Sequence, residues 1–539
     1  MEEFDYIIIG AGSAGSVLAN RLTAGDATVC LLEAGPRDLN PFIHIPAGFI
    51  KTLVNPRVNW LFQTEPSDGT AGRQIATPRG KTLGGSSSIN GHIYNRGQRL
   101  DFDTWAQMGN RGWSFADVLP YFRRSERRVG EGDDTYRGRD GELVITDIDK
   151  PDPICDAFID GVTNLGIPRS DDYNGAVQEG VSYFQRTIHK GRRMSAARAF
   201  LAPARGRANL HIRTEANVSR ILFDGRQAIG VRYMRGDRQK EIHAKREVIL
   251  CGGAIASPQL LQVSGIGNPE LLREINVPVT HALPGVGENL SDHYGVRLAA
   301  RVRNARTLNE RTRGLSLAGE VAKYLLFRKG VLAQSPGVAL ALCKSRPALE
   351  YPDLQVIFAP ASYKEDAAYQ LDDFPGMTIG SWPMRPESRG YVRAQSADAR
   401  DKPAIQPNYL EAEADRLLIV ESTRLARRML QTPELSNWYD QETTPGAAVQ
   451  SDDELLDYAR QHGTTIFHLM GSCKMGPAHD PNAVVDDELK VHGIQGLRVV
   501  DASVIPTSHS ANTNASTYMI AEKAADMILG NSPLPSAQV

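Results

Sequence analysis

The hydrophobic and polar positions at the start of the chain predict a strand, a tight turn and a helix. The apolar run Asp5-Tyr6-Ile7-Ile8-Ile9 is typical of a buried parallel strand, and residues 16–22 follow a helical pattern. Between them, Gly10 permits the turn, Gly12 lets the backbone approach a pyrophosphate, and Gly15 lets helix and strand pack closely. The segment therefore predicts a dinucleotide bound at a helix N-terminus.

Two later strands continue this nucleotide-binding pattern. Residues 28–32 form an apolar run that ends at Glu33, about 20 residues after the glycines, where a carboxylate accepts hydrogen bonds from ribose hydroxyls. An acidic residue there argues against a 2′-phosphate, because the two negative charges would repel each other. The apolar run 248–251 leads into a second strand-turn-helix pattern over residues 253–261. The nucleotide-binding layer is therefore expected to resume after residue 245.

Two other segments carry patterns that predict a loop and a helix. Residues 80–91 are too polar for a core strand and too rich in glycine for a stable helix, which predicts a loop that approaches a ligand closely. Near the C-terminus, Asn512-Thr513-Asn514 precedes a helical pattern over residues 515–529. Asparagine is a favoured N-cap residue, so Asn512 is expected to cap this helix.

The middle of the chain predicts a mixed sheet backed by helices. Residues 354–358 and 390–394 alternate as strands do, and residues 411–431 and 452–462 follow helical patterns. We assign residues 1–155, 195–300 and 465–539 to one discontinuous nucleotide-binding domain. Residues 156–194 and 301–464 are assigned to an inserted substrate-binding domain.

Composition narrows the range of partners. The chain of 539 residues has 61 Lys and Arg against 63 Asp and Glu, which gives no electrostatic reason to expect nucleic acid or an anionic membrane as a partner. Its five cysteines have no spacing for a metal or a redox dithiol, so buried, reduced thiols and no metal are expected. No secretory signal or membrane-spanning run stands out. We expect a cytoplasmic protein, with peripheral attachment to the inner membrane as an open alternative. The arginine clusters at 123–128 and 311–313 are assigned to solvated surface.

These motifs together resemble the glucose-methanol-choline (GMC) family of flavin oxidoreductases. Residues 80–91 and 253–267 resemble its two signature motifs, and residues 283–293 and 499–503 also fit, so the resemblance covers essentially the whole chain. Within the family the chain is most similar to bacterial alcohol, sorbose and choline dehydrogenases and hydroxymethylfurfural oxidases. The resemblance implies an α/β fold, α+β overall, with a Rossmann-like FAD-binding domain and an inserted mixed-sheet domain.

The resemblance also implies which residues contact FAD. For the ADP half these are Gly10, Gly12, Ser13, Ala14, Gly15, Glu33, Ala34 and Val218. On the flavin side they are Trp60, the weakest candidate, with Gly84, Gly85, Asn90, Gly91 and Ile93, and from the C-terminal segment Asp501, Ala502 and Thr513. Some relatives bind FAD covalently through a histidine where this chain has Ile89, so non-covalent FAD is expected; His92 is interpreted as a loop histidine packed near the flavin.

Two polar residues near the C-terminus are the candidates for catalysis. Oxidising an alcohol with a flavin requires a base for the hydroxyl proton, and His468 matches the family's histidine for this role; histidine suits it because its ordinary pKa is about 6.5. Asn512 matches the family's asparagine, whose amide orients the alcohol. Phe467 is expected to wall the substrate pocket. Leu469 and Ser516 depart from prolines common in the family.

The expected activity is FAD-dependent oxidation of an alcohol to an aldehyde or ketone. His468 takes the hydroxyl proton while hydride passes to flavin N5, and the electrons go on to a quinone or another carrier. One alternative is an oxidase that passes electrons to O₂ and gives H₂O₂. Another is a flavin-binding protein without turnover, and a lyase on the same fold is a further one. Sequence leaves the alcohol unnamed, and choline is not favoured because no site for a quaternary ammonium stands out.

Overall fold

Two seven-stranded sheets dominate the part of the chain that the structure describes, residues 2–364 and 370–539 of a computed structural model. The first sheet has the spatial order Leu210–Arg213, Val29–Leu32, Glu3–Ile9, Arg238–Leu250, Gln227–Arg235 and Asn217–Asp224, and Leu497–Val499 also pairs with Arg238–Leu250. Strand Glu3–Ile9 is parallel to both of its neighbours, and Leu497–Val499 is parallel to Arg238–Leu250. The carboxyl ends of these four strands therefore meet at one edge of the sheet, where open α/β sheets bind their ligands.

The second sheet is antiparallel and draws on other parts of the chain. Its spatial order is Tyr439–Thr444, Tyr294–Val302, Gly376–Pro383, Leu354–Ala359, Ala339–Cys343 and Gly180–Tyr183, with Thr464–Thr465 also paired to Tyr294–Val302. Strand Tyr294–Val302 spans residue 300, where we had placed the end of this part of the nucleotide-binding domain, and it pairs in the second sheet. The apolar run alone does not show which sheet a strand will join.

Helices cover the sheets and fill two separate cores. The α-helices of six or more residues are Ser13–Leu22, Arg99–Gln107, Phe115–Ser125, Pro153–Asn164, Gly253–Val263, Pro269–Glu274, Gly314–Phe327, Glu413–Leu430, Asp452–His462 and Thr513–Leu529. Shorter α-helices are Pro41–His44, Phe49–Thr52, Ala202–Ala204 and Leu308–Arg311. One apolar core packs around the first sheet, with helices Ser13–Leu22 and Thr513–Leu529, and the other packs around the second sheet, with Pro153–Asn164 and Glu413–Leu430.

Short elements connect these layers. Two-stranded pairs are Phe62–Gln63 with Ala76–Thr77, Glu126–Val129 with Leu143–Thr146, Ile188–His189 with Arg192–Arg193, Ile266–Gly267 with His281–Ala282, and Tyr391–Arg393 with Ala404–Gln406. Single 3₁₀ turns are Pro46–Gly48, Asp68–Thr70, Gly85–Ser88, Val331–Ala333, Pro433–Leu435 and Ala502–Val504, and Ala197–Leu201 is a π-turn.

Several local predictions can be compared directly with these elements. The helices predicted over 411–431 and 452–462 are present as Glu413–Leu430 and Asp452–His462. The strand predicted over 390–394 is present as Tyr391–Arg393, but it pairs only with Ala404–Gln406 and joins neither large sheet. All five cysteines are free and buried, as expected.

One prediction about surface charges was wrong. The arginines at 123–128 are not all solvated: Arg128 is buried and pairs with Asp147, and Arg124 pairs with buried Glu522. In residues 2–364 and 370–539, no helix combines the length and hydropathy needed to cross a bilayer.

Candidate active site

A cavity of about 440 Å³ opens at the carboxyl ends of the parallel strands. Ile9, Leu32 and Leu250, the last residues of three strands, line it from the first sheet. Val296, Ile357 and Trp382 line it from the second sheet. Because both sheets contribute to one cavity, a cofactor held by the first can meet a substrate held by the second. The predicted catalytic residues His468 and Asn512 and the predicted wall residue Phe467 also line this cavity.

A buried carboxylate fixes the loop that carries His468. Oδ1 of Asp292 accepts the backbone N–H of His468 at 2.7 Å, and Oδ2 accepts the hydroxyls of Tyr409, at 2.6 Å, and Thr465. The Thr465 hydroxyl in turn accepts the backbone N–H of Phe467 at 2.7 Å. Phe467 has a φ of 68°, in the left-handed region that is uncommon for residues other than glycine. Strain of this kind persists only where the surroundings determine the backbone, as these hydrogen bonds do.

A second histidine determines which nitrogen of His468 faces the cavity. His293 Nε2 lies 2.7 Å from the carbonyl oxygen of Met384, which can only accept, so Nε2 of His293 carries a proton. In neutral His293 the Nδ1 atom is then an acceptor, and it lies 2.8 Å from Nδ1 of His468. His468 therefore donates from Nδ1, which leaves Nε2 with its lone pair. That lone pair is the arrangement a general base requires.

Asn512 contacts His468 and does not cap its helix through the side chain. It occupies the N-cap position of Thr513–Leu529, but its side chain makes no capping hydrogen bond. Its Nδ2 lies 2.8 Å from Nε2 of His468, and its Oδ1 is buried without a partner. Asn512 is thus the N-cap residue, as expected, but its amide is directed to His468 and not to the helix N–H groups.

Burial keeps the histidines of this site neutral. The pKa of His468 lies well below its usual range, chiefly because burial disfavours the charged ring and also because of His293, His509 and Arg79. Burial likewise lowers the pKa of His293 to about 4. Neutral imidazole is therefore the form of both rings at pH 7.

The cavity collects most of the residues that were predicted to contact FAD. Its lining includes Gly10, Gly12, Ser13, Ala14, Glu33, Ala34, Trp60, Gly85, Asn90, Gly91, Ile93, Val218, Asp501, Ala502 and Thr513. Gly15 and Gly84 are not part of the lining. A Cβ on Gly15 would lie 1.9 Å from the Gly10 oxygen, and the Gly84 N–H donates to the Ala11 oxygen at 2.7 Å. These two glycines shape the backbone behind the cavity.

The glycine-serine loop at 80–91 differs from an irregular loop in one respect. Residues Gly85–Ser88 form one 3₁₀ turn, whose N-cap Gly84 has a φ of 88°. Ile89, at the position where covalent attachment occurs in relatives, is buried and lines the cavity, consistent with non-covalent cofactor. His92 is also buried in the lining, and within the described part of the chain neither of its ring nitrogens has a hydrogen-bond partner.

Family comparison gives this cavity a context. Family models described as GMC oxidoreductase match residues 4–295 and 386–521. The chain belongs to the GMC oxidoreductase family. It is accordingly an FAD-dependent oxidoreductase that acts on CH–OH donors, as the resemblance of its motifs implied.

Relatives match this chain along nearly its full length. It is 44% identical to an oxygen-dependent choline dehydrogenase of Cronobacter sakazakii, over 99% of this chain and 96% of the relative. It is 43% identical to a protein of the same name from Pseudomonas aeruginosa, over 99% and 96% of the two chains. The crystal structure of pyridoxine 4-oxidase from Mesorbium loti superposes with a TM-score of 0.88 at 31% identity, covering 98% of this chain and 100% of that one.

The residues present fit FAD. Gly12 has room beside it, since a Cβ there would meet nothing nearer than the Gly85 Cα at 4.0 Å, so the backbone is open to a close ligand. Among the described residues, Glu33 accepts the N–H groups of Ala11 and Gly35, and burial raises its pKa to about 7, so ribose hydroxyls would stabilise its charged form. Half-buried Arg79 lines the cavity, and its buried Nη2 has no hydrogen-bond partner among the described residues, so it is a donor suited to a carbonyl or phosphate oxygen.

Sequence reasoning missed three residues that build the catalytic end. Asp292 and His293 were noted only as part of a family motif, and the Met384 carbonyl was not noted at all. Each acts on His468 from far along the chain; His293, for example, lies 175 positions away. An Asp-His pair directly before a strand is a usable signal, but only the folded structure shows which histidine it contacts.

Proposed function

We propose that the protein oxidises a primary alcohol that carries no positive charge, with His468 as general base and Asn512 as the group that orients the hydroxyl. One observation carries this proposal: Nε2 of His468, with its lone pair set by His293, lies 2.8 Å from Nδ2 of Asn512 inside the cavity. The alcohol oxygen accepts from Asn512 and donates its proton to His468. FAD, when bound, supplies the oxidant that accepts hydride from the substrate carbon.

The part of the cavity formed by the second sheet supports a neutral or anionic substrate. Its apolar lining includes Ile357, Trp382 and Phe467, which suits an aryl or aliphatic chain. Arg297 is exposed and also lines the cavity, so it places a positive charge at the opening.

The carboxylates that line the cavity lie away from the second sheet. Among the described lining residues they belong to Glu33, Asp401 and Asp501, none of which is on the second sheet. A quaternary ammonium such as choline, the substrate in the names of several relatives, would therefore meet a cation at the opening and no carboxylate on this side.

For the electron acceptor we propose a quinone or similar carrier, so that the enzyme works as a dehydrogenase beside a membrane. The second candidate is O₂, which is favoured by the oxygen-dependent relatives and by the pyridoxine 4-oxidase structure. A peroxide assay run beside a quinone-analogue reduction assay on the same substrate separates the two. Faster turnover with O₂ than with the quinone analogue would replace the dehydrogenase by an oxidase.

Flavin reduction under anaerobic conditions tests the reaction itself. The FAD-loaded protein is mixed with benzyl alcohol, 3-(hydroxymethyl)benzoate, 1-octanol and choline, and bleaching of the flavin is followed. We expect the first three to bleach it faster than choline. Failure of every alcohol would favour a flavin protein without turnover, and the fastest bleaching by choline would refute the substrate class.

His468→Ala tests the base. We expect flavin reduction to slow by about 10²- to 10⁴-fold, the usual contribution of general-base catalysis, at unchanged FAD content. His479→Ala is the matched control, because His479 is an exposed histidine of the same C-terminal segment outside the cavity. A near-normal rate in His468→Ala would remove this residue from the mechanism.

A further inference from the structure

Apolar side chains on the helix Gly314–Phe327 face the solvent. Leu315 is 93% exposed, Leu325 64%, Leu326 74% and Phe327 66%. The helical period places Leu315 on the same side as Leu325 and Leu326, while the opposite side carries Tyr324, the one buried residue of the helix. Surface helices of globular proteins usually turn their polar side outward, and this helix does the reverse.

Among the described residues, four exposed basic side chains lie on or near this face, and the exposed carboxylate of Asp373 lies at the N-terminal end of the helix, where it pairs with Arg313 and Lys364. Lys323, Arg328 and Lys329 are exposed on the helix and just beyond its end, and Lys190 is exposed next to Gly191, whose carbonyl accepts the Tyr324 hydroxyl at 3.0 Å. The acidic residue of the helix, Glu320, pairs with Arg311 at 3.0 Å and accepts the Val331 N–H. The whole chain has a net charge of −2, so this basic rim is a local feature.

The apolar face lies close in the chain to the wall of the cavity. After the helix the chain forms the turn Val331–Ala333 and reaches Pro336 and Gly337, which line the cavity. The turn packs against Pro46–Gly48, and the same N-terminal segment carries two more exposed apolar side chains, Phe42 at 42% and Val54 at 59%. An apolar surface therefore adjoins the cavity on this side.

We propose that the apolar face of helix Gly314–Phe327, with its basic rim, docks on the surface of an anionic lipid bilayer. Helices of this composition lie in the interfacial plane, with apolar side chains among the acyl chains and basic ones at the headgroups. A second copy of the chain fits less well, because a two-fold contact would bring Lys323, Arg328 and Lys329 against their own counterparts. Docking places the cavity beside lipid, from which an apolar alcohol or a quinone enters. This inference rests on the proposed function, because docking on a membrane would serve to deliver electrons to a quinone there.

Sedimentation with vesicles tests the docking surface without any turnover. The FAD-loaded protein is spun with vesicles of phosphatidylcholine alone and of phosphatidylcholine mixed with phosphatidylglycerol. We expect co-sedimentation with the mixed vesicles, weakened by salt because the basic rim contributes. The triple variant Lys323→Gln, Arg328→Gln, Lys329→Gln is expected to reduce partitioning by about 100-fold, since each basic side chain at an anionic surface contributes about five-fold.

The apolar contribution needs its own variant and control. Leu325→Ser with Leu326→Ser is expected to lower partitioning at least about ten-fold. Leu417→Ser is the matched control, because Leu417 is also 64% exposed but lies on helix Glu413–Leu430, and it is expected to change nothing.

Three results would overturn the proposal. These are no preference for anionic vesicles, an equal loss of binding in Leu417→Ser, or light scattering that shows dimers broken by the Leu325 and Leu326 variants without vesicle binding. In the last case the face joins two copies of the chain. Because no alcohol or acceptor is present, these results stand apart from the flavin-bleaching test of the proposed function.

Discussion

The imidazole of His468 is surrounded by groups that disfavour its protonation. Burial has the largest effect, because it disfavours the charged ring, and the charges of His293, His509 and Arg79 add to it. Together they hold the pKa of His468 well below its ordinary value of 6.5. A lowered pKa means that the neutral, basic form persists to more acid solutions. The rate of flavin reduction at low substrate should therefore stay level as pH falls through 6.5 and decline only at lower pH. Anaerobic stopped-flow rates between pH 4.5 and 8 check this, and a decline centred at or above 6.5 would contradict it.

In the proposed mechanism His293, hydrogen-bonded to Nδ1 of His468 and outside the cavity lining, would position the base without touching the substrate. His293→Leu fills the buried space with an apolar side chain but removes the acceptor for His468 Nδ1–H, so the proton on His468 is free to move to Nε2. We expect flavin reduction to fall at least about ten-fold, yet less than the ~10²- to 10⁴-fold loss on removing the base, with little change in KM.

A conservative variant separates positioning from mere packing. In His293→Gln the amide oxygen accepts from His468 and the amide N–H donates to the Met384 carbonyl, as the native ring does. Recovery of most of the flavin-reduction rate in His293→Gln would support the positioning role of His293. Equal losses in both variants, or a loss of FAD, would assign His293 to structure alone.

At the scale of single elements, the first strand-turn-helix unit offers two glycines with opposite constraints. Gly12 has a φ of −75°, and an added Cβ would contact no protein atom nearer than 4.0 Å. Gly15→Ala would place a Cβ 1.9 Å from the Gly10 oxygen. Gly12→Ala should therefore fold and melt like the native apoprotein but bind FAD at least about ten-fold more weakly, because the methyl group occupies cofactor space. Gly15→Ala should lower the melting temperature of the apoprotein itself. Thermal melts with and without FAD, and FAD titration, decide between these outcomes; tight FAD binding by Gly12→Ala would remove Gly12 from the cofactor site.

Local elements were predictable where one local pattern decides them. The helix Ser13–Leu22 and the helix Asp452–His462 follow from the hydrophobic period, and their bounds agree with the predicted ranges to within a few residues. Partner choice was not predictable in this way. The strand Tyr294–Val302 pairs with Gly376–Pro383 and Tyr439–Thr444, which lie far along the chain, and no local pattern specifies them. The orientation of the Asn512 amide was not predictable either, because it depends on a contact with His468, 44 positions away.

At the scale of the whole molecule, the cavity exists because both chain ends reach the same sheet edge. The N-termini of helices Ser13–Leu22 and Thr513–Leu529 both line it, and the Ser13 hydroxyl donates to Asn514 at 2.7 Å. The sequence indicated that both ends serve one cofactor through family motifs. Nothing in the local pattern indicated the contacts that hold these two helices side by side.

A buried ion-pair network holds the two helices together. Glu522 is fully buried and accepts from Arg21 at 2.7 Å and from Arg124 at 2.8 Å. Arg21 also pairs with Glu142 and Arg124 with Asp526, so neither arginine would lose every partner if Glu522 were removed.

Glu522→Gln should lower the free energy of unfolding by about 3 kcal/mol, the low end for breaking a buried ion pair, because each arginine keeps one carboxylate. FAD should be retained less well, since the helix ends that frame the cavity lose a common anchor. Glu241→Gln is the matched control: its pair with Arg232 is exposed, and exposed pairs contribute about 0–1 kcal/mol. Chemical denaturation of both variants, with FAD content measured beside it, checks the prediction. Equal small losses in the two variants would show that apolar packing alone holds the chain ends together.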